Sequence, residues 1–307
     1  MRGVVLAAGK GTRLYPVTKV VAKPLLPLAN RLTMEYAFDQ FRSCGVSDVC
    51  VVVGVDNEPQ MRETLGDGSA FGMSLSYAVQ TEPKGLAHAT LSARPFVGDE
   101  EFILYLGDAI YGESLAPYVE QFHASGAANL NLVKAVDDPR RFGVAEVEGG
   151  VIVRVVEKPA EPKSDLAMAG FYVFGPQIWD VMLHVKPSAR GEYEITDAIQ
   201  ELINRGHKVV AGVYEGEWFD TGTLPSFLAT SRFLTKGVPL VDPTARVEGE
   251  VGDGTVVGAG AHVVCTKISD TVVLPGSVVR VDGEISGCLL GGSVTAKGLR
   301  DEVQYGT

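Results

Sequence analysis

Two rhythms of apolar and polar positions alternate along the first 235 or so residues. Short, near-continuous apolar runs at Val4–Ala7, Asp48–Val53, Leu75–Val79, Phe102–Leu106 and Asn129–Ala135 predict buried strands. Between them, apolar residues three and four apart predict helices. Thr33–Cys44 carries Met34, Ala37, Phe38 and Phe41 on one face, and Met61–Leu65, Leu86–Ala93 and Leu115–His123 follow. Strands that alternate with helices imply βαβ units. Strands without polar alternation imply a sheet covered on both faces. The expected fold is α/β: a Rossmann-like, mostly parallel mixed sheet.

The rhythm changes in the middle of the chain. Gly143–Val147 and Val151–Val156 flank Glu148-Gly149-Gly150, which predicts a hairpin. Gly170–Phe174 and Lys208–Val213 read as strands, and Gln177–Leu183, Ile195–Asn204 and Leu224–Leu234 as helices. After Pro239 apolar residues recur every five or six positions, at Val251, Val257, Val263, Ile268, Leu274, Val279, Ile285 and Leu290, with Gly and small residues between them. This imperfect hexapeptide period predicts a β-helix whose coils stack through one apolar residue per short strand. The alternative is a Gly/Val-rich antiparallel tail. The expected division is a domain over 1–238 and a repeat-like tail over 239–307.

Composition narrows the function classes. The chain has 307 residues, with 27 Lys and Arg against 38 Asp and Glu, for a net charge of −11. An acidic balance argues against broad nucleic-acid or membrane-surface binding. Glycine is in excess, 36 residues, and much of the excess falls in the tail, at corners that need positive φ. The four cysteines, Cys44, Cys50, Cys265 and Cys288, have no metal-ligand spacing and read as buried thiols. No apolar run is long enough for a signal core or a membrane span, so a cytoplasmic protein is expected.

The candidate chemistry begins at the end of the first strand. Ala8-Gly9-Lys10-Gly11-Thr12-Arg13 is a Gly-rich turn carrying two cations. It is not a Walker A loop, and Leu14 stands where a dinucleotide fingerprint needs a third glycine. What remains is a loop whose backbone N–H groups can approach a polyphosphate, with Lys10 and Arg13 adding charge. Downstream, Lys23 lies in Ala22-Lys23-Pro24-Leu25-Leu26-Pro27, where prolines hold it in place. Asp108 ends the Phe102–Leu106 strand and Asp220 follows Trp218-Phe219; both are hard oxygen donors suited to Mg²⁺. Glu192 and Glu194 read as caps of the following helix, and His88 reads as structural.

The string GxGTRLxPxT from Gly9, followed by Lys23-Pro24-Leu25-Leu26-Pro27-Leu28-Ala29-Asn30, resembles the signature of the sugar-phosphate nucleotidylyltransferases. The resemblance continues through Gln80, Glu82-Pro83-Lys84-Gly85, Leu106-Gly107-Asp108, Phe142-Gly143-Val144, Glu157-Lys158-Pro159, Ala169-Gly170, Arg190-Gly191-Glu192 and Trp218-Phe219-Asp220. In motif order it is similar to glucose-1-phosphate thymidylyl- and uridylyltransferases, and the tail resembles a short left-handed β-helix. Three positions depart from the pattern: Ala8 for a common glycine, Leu32 for a usual proline, and Ala109 for a usual Asn.

The resemblance implies transfer of a nucleoside monophosphate from dTTP or UTP to a sugar 1-phosphate, glucose 1-phosphate above all, with release of pyrophosphate. It implies Arg13 and Lys23 on the phosphates, and Leu6, Ala8, Gly9, Gly11, Thr12, Gln80 and Gly85 around the nucleotide. It implies Gly143, Glu157, Lys158, Gly170, Tyr172 and Arg190 around the sugar phosphate, with Asp108 and Asp220 holding Mg²⁺. A homo-oligomer, dimer or tetramer, is expected. Three alternatives stay open: a silent sugar-nucleotide sensor or scaffold relative, a transferase using GTP, ATP or another sugar, and an acyltransferase role for the tail around its single histidine, His262.

Overall fold

The apolar runs pair into one nine-stranded mixed sheet. In the computed structural model, which describes residues 1–306, its strands are β1 (Arg2–Leu6), β2 (Asp48–Gly54), β3 (Ser74–Gln80), β4 (Phe102–Leu106), β5 (Asn129–Ala135), β6 (Gly143–Glu148), β7 (Val151–Glu157), β8 (Leu166–Phe174) and β9 (Val209–Val213). Their order is β3-β2-β1-β4-β8-β5-β9-β7-β6. The half holding β3, β2, β1 and β4 is parallel; β8 runs antiparallel to both β4 and β5. The chain leaves β1 toward β2 and β3, then returns to place β4 on the other side of β1. In open α/β sheets such a reversal opens a crevice at the carboxyl ends of the two strands, and ligands bind there.

Contacts divide the chain into two compact units, residues 1–9 with 37–218, and residues 10–36 with 219–307. The tail expected over 239–307 from its apolar period falls within the second unit. Compactness groups the repeat with an N-terminal segment. The first unit is cored by Val4, Val52, Leu104 and Phe174, with the Phe102 and Trp179 rings stacked at 4.9 Å. Helix α1 (Leu86–Ser92) buries Ala87, Ala89 and Thr90. Helix α2 (Ile195–Asn204) buries Ile195, Ala198, Ile199 and Leu202, the i, i+3, i+4, i+7 stripe of a helix lying on a sheet.

The second unit is built on parallel strands in register. Val247, Val263, Val279 and Val294 form one row; Val251, Ile268, Ile285 and Leu299 form a second. A third row runs Val257, Val273 and Leu290. Each step is close to three hexapeptides, so the five-to-six spacing becomes one residue per face of a coil, and the stack fits a β-helix. Val273, not the expected Leu274, occupies the third row, although Leu274 is buried beside it. Helix α3 (Leu224–Leu234) also belongs to this unit, capped by Thr223 and Ser226 in reciprocal bonds. Arg232 of α3 pairs with Asp270 of the stack.

Candidate active site

Two structural corners and one polar cluster hold the expected residues of the first unit. The first corner lies at the reversal between β1 and β4. Leu6 ends β1, pairs with Leu106, and accepts a hydrogen bond from the Gly107 backbone at 3.0 Å. A Cβ at Gly107 would meet the Leu6 carbonyl at 2.9 Å, so glycine is what lets the turn before Asp108 close on β1. On the other flank, Asn57 donates to the Ala7 carbonyl at 2.8 Å, and the Gly54 backbone donates to Asn57 at 2.8 Å. Ala8 lies against Gly54, and a Cβ on Gly9 would meet nothing within 4 Å. The carbonyls at the end of β1 are thus occupied, and space lies beside Gly9.

The second corner closes β3. Gln80 is buried, and its Nε2 donates to the Gly85 carbonyl at 3.1 Å and sits 3.2 Å from Nδ1 of His88. A carbonyl can only accept, which fixes the amide nitrogen on that side. His88 Nδ1 is then the acceptor, its proton lies on Nε2, and Gln80 Oε1 is the group offered outward. Gly85 has φ 103°, and a Cβ there would strike the Tyr193 backbone at 2.6 Å. His88, expected to be structural, therefore orients a candidate base-reading amide.

The polar cluster is centred on Glu157, at the end of β7. Its Oε2 accepts from Thr196 Oγ1 at 3.2 Å; its Oε1 lies 3.3 Å from Arg190 and 3.5 Å from Lys158. Gly143 pairs with Glu157 across the hairpin, and a Cβ on it would meet Thr196 Cγ2 at 2.6 Å. Lys158 stands at φ 42°, a left-handed conformation that is costly for a side-chain-bearing residue. Gly170, at φ 85° where β8 shifts register, packs against Leu106. Tyr172 is buried in the core, stacked on Phe174; burial, then the Glu157 charge, pushes its phenol well up.

Glu194 and Glu192 differ from expectation. Glu194 occupies the N-cap position of α2 but makes no capping bond. Its carboxylate accepts from Ser188 at 2.9 Å and from Arg190 at 3.3 Å, and burial raises its pKa despite both. Glu192 also pairs with Arg190, at 3.0 Å. Arg190 is thus held among three carboxylates. Thr196 was not singled out by the pattern. Its signal is a threonine in the first turn of α2, buried although polar.

The second unit carries the remaining cations. Gly11, at φ 63°, starts the turn Thr12–Leu14 and accepts from Thr18 Oγ1 at 2.7 Å. A Cβ on Gly11 would lie 3.1 Å from both Thr18 and Lys23. Lys23 is only 9% exposed, in the short turn Lys23–Leu25. Arg13 and Asp220 flank Gly222, whose Cβ position lies 2.8 Å from Asp220 Oδ1 and 3.3 Å from Arg13 Nη2. The Gly222 backbone donates to Asp220 Oδ1 at 2.9 Å, orienting one carboxylate oxygen. His262 faces Glu248 at 3.2 Å on the outside of the stack.

Among the described residues, no three Asp, Glu, His or Cys side chains gather as a closed metal cage. No helix is long and apolar enough to cross a membrane.

Comparison with known proteins points the same way. The nucleotidyl transferase family profile matches residues 2–237. A glucose-1-phosphate thymidylyltransferase from Streptomyces griseus is 37% identical, aligned over 98% of this chain and 90% of its own. The low-salt glycan biosynthesis nucleotidyltransferase Agl11 of Haloferax volcanii is 38% identical over 84% of this chain and 71% of its own. Among solved structures, a Bacillus anthracis protein assigned as a glucose-1-phosphate thymidylyltransferase, in complex with sucrose, superposes with a TM-score of 0.72 at 36% identity, over 78% of this chain and 97% of its own. A UDP-glucose pyrophosphorylase complexed with UDP-glucose gives 0.69 at 25% identity, over 76% and 98%.

Proposed function

The chain belongs to the nucleotidyl transferase family, and from that premise we propose that it moves the nucleoside monophosphate of dTTP or UTP onto glucose 1-phosphate, releasing pyrophosphate. The observation that carries this is the reversal between β1 and β4, which brings the Gly9 loop and the Gly107-Asp108 turn to one end of the sheet. The relatives' names supply the nucleotide and the sugar.

The attacking group is a phosphate oxygen that is already anionic, so no general base is required. Catalysis is positioning and charge neutralisation. In this assignment Arg13 neutralises the triphosphate and the leaving pyrophosphate, and Lys23 holds the α-phosphate and the attacking group. Leu6, Ala8, Gly9, Gly11 and Thr12 line the nucleotide. Gln80 Oε1 accepts the ring N–H of thymine or uracil, with Gly85 beside it. Glu157 holds sugar hydroxyls, with Gly143, Gly170 and Tyr172 shaping the space, and Lys158 and Arg190 receive the sugar's phosphate. Nucleotidyltransferases generally work with a divalent cation; we assign it as Mg²⁺, with Asp108 and Asp220 as its protein ligands. When bound, the ion offsets the charge that builds on the phosphate oxygens.

These substrates are metabolites of the cytoplasm, where we place the protein. Val238, Leu240 and Val241, exposed at the first edge of the stack, support assembly with a second copy.

The test is a panel of the four NTPs and dTTP against several sugar 1-phosphates with Mg²⁺. Nucleotide-sugar and pyrophosphate should form in equal amounts with dTTP or UTP and glucose 1-phosphate. No turnover with any pair would overturn the proposal.

A further inference from the structure

The repeat stack and the cationic segment belong to one compact unit, although 203 or more positions of sequence lie between residue 36 and the stack's first strand at Leu240. Two separate contacts join them. Asn30 donates from Nδ2 to the Val257 carbonyl, on the third apolar row of the stack, at 3.1 Å. Asn30 and Ala29 both adopt left-handed conformations, φ 58° and 48°, at the tip of the hairpin pairing Pro27–Leu28 with Arg31–Leu32. The tip is therefore shaped to present this amide. The second contact is the turn Val17–Lys19, which packs against Leu289–Ala296 and Val303–Gly306 of the last coils. Val17 is fully buried there.

From these contacts a short mechanical path leads to the cations. Thr18, inside the packed turn, donates to the Gly11 carbonyl at 2.7 Å. Gly11 in turn is so close to Lys23 that a Cβ would lie 3.1 Å from its side chain. Arg13 follows Gly11 by two residues. The segment is anchored at its Val17–Lys19 turn and at its Asn30 tip, with Lys23 between the anchors.

We propose that the repeat stack is the rigid seat of the phosphate-binding segment, and that Asn30 and Thr18 are positioning residues for Arg13 and Lys23. The inference rests on the function proposed above for those two cations. A loop bearing two cations gains phosphate affinity only if it is ordered beforehand; otherwise the ordering entropy is charged against binding. The stack supplies that order with bonds that touch no substrate.

The experiment compares Asn30→Gly and Thr18→Val with the wild-type full-length protein. Asn30→Gly permits the left-handed tip and removes the side-chain amide; Thr18→Val keeps the shape and removes the hydroxyl. Two readouts are taken. Amide hydrogen exchange across Gly11–Leu25, with no substrate present, should speed up about three- to tenfold, the range expected for losing one net hydrogen bond. In turnover, the KM for dTTP and the inhibition constant for pyrophosphate should rise by a similar factor and by more than the KM for glucose 1-phosphate, with the melting temperature lowered by no more than about 2–4 °C. Unchanged exchange at Gly11–Leu25 in both variants would overturn the proposal, whatever the activity. So would equal rises in both KM values with a lowered melting temperature, the mark of general destabilisation. Faster exchange in a protein whose NTP and pyrophosphate constants do not move would leave the seat intact and refute the role given to Arg13 and Lys23.

Discussion

Thr196 Oγ1 donates to Glu157 Oε2 at 3.2 Å, so a buried threonine on α2 sets the rotation of the carboxylate at the end of β7. The other oxygen is shared by Arg190 and Lys158. Thr196→Val should free one side of Glu157 while keeping the packing volume. The expected result is a three- to tenfold fall in kcat/KM for glucose 1-phosphate, about 1 kcal/mol, with the KM for dTTP unmoved. Steady-state kinetics with each substrate varied in turn makes the check; a loss confined to dTTP would contradict it.

Gly143 leaves the space that lets Thr196 and Glu157 meet. A methyl group there would collide with Thr196 Cγ2 at 2.6 Å and with Met168 Sδ at 3.0 Å. Gly143→Ala should cost about 1–3 kcal/mol of stability through overpacking. It should also raise the KM for the sugar phosphate by more than Thr196→Val does. Denaturant melts alongside kinetics would show both, and a neutral outcome in both would mean the sheet edge yields more easily than its contacts imply.

The amide of Gln80 has its nitrogen committed to Gly85 and His88, which leaves Oε1 as the atom proposed to meet the base. Cytosine has a bare ring nitrogen where thymine and uracil have N–H, so the fixed amide should reject CTP. His88→Leu removes one of the two acceptors that hold the amide. The preference for dTTP over CTP in kcat/KM should fall about tenfold. Equal preference in wild type and variant would remove His88 from base selection.

Arg13 and Asp220, of opposite charge, flank Gly222. Arg13→Ala and Asp220→Asn should each lower kcat by about 10²-fold or more, the usual cost of removing a preorganised charge from a phosphate transition state. Circular dichroism should show the native fold in both. Chelation with EDTA should abolish turnover in the wild type, and added Mg²⁺ should restore it. Turnover at wild-type rates in either variant would take that residue out of the mechanism.

Much of this architecture is legible along the chain. Phe102–Leu106 and Asn129–Ala135 are buried on both faces, so their apolar runs carry the strand boundaries unaltered. The strand at Leu166–Phe174 is longer than the expected Gly170–Phe174: Gly170, at positive φ where the register shifts, lies inside it and reads in the sequence as its start. The hexapeptide period marks the stack because every coil must bury the same rows. The partnership of Asn30 with Val257 leaves no trace in local pattern, since it joins residues 227 positions apart. At the site, glycines and charged residues announce themselves by type. His88 and Thr196 do not, because an orienting role depends on which side chain lies next to them, and only packing decides that.

The most direct test follows the fate of the α-phosphorus. The protein is incubated with glucose 1-phosphate, Mg²⁺ and dTTP or UTP labelled at the α-phosphate, and the products are separated. The account predicts label in a nucleotide-sugar and unlabelled pyrophosphate in equal amount. Label recovered as free nucleoside monophosphate, or left in the triphosphate with every sugar 1-phosphate offered, would contradict it.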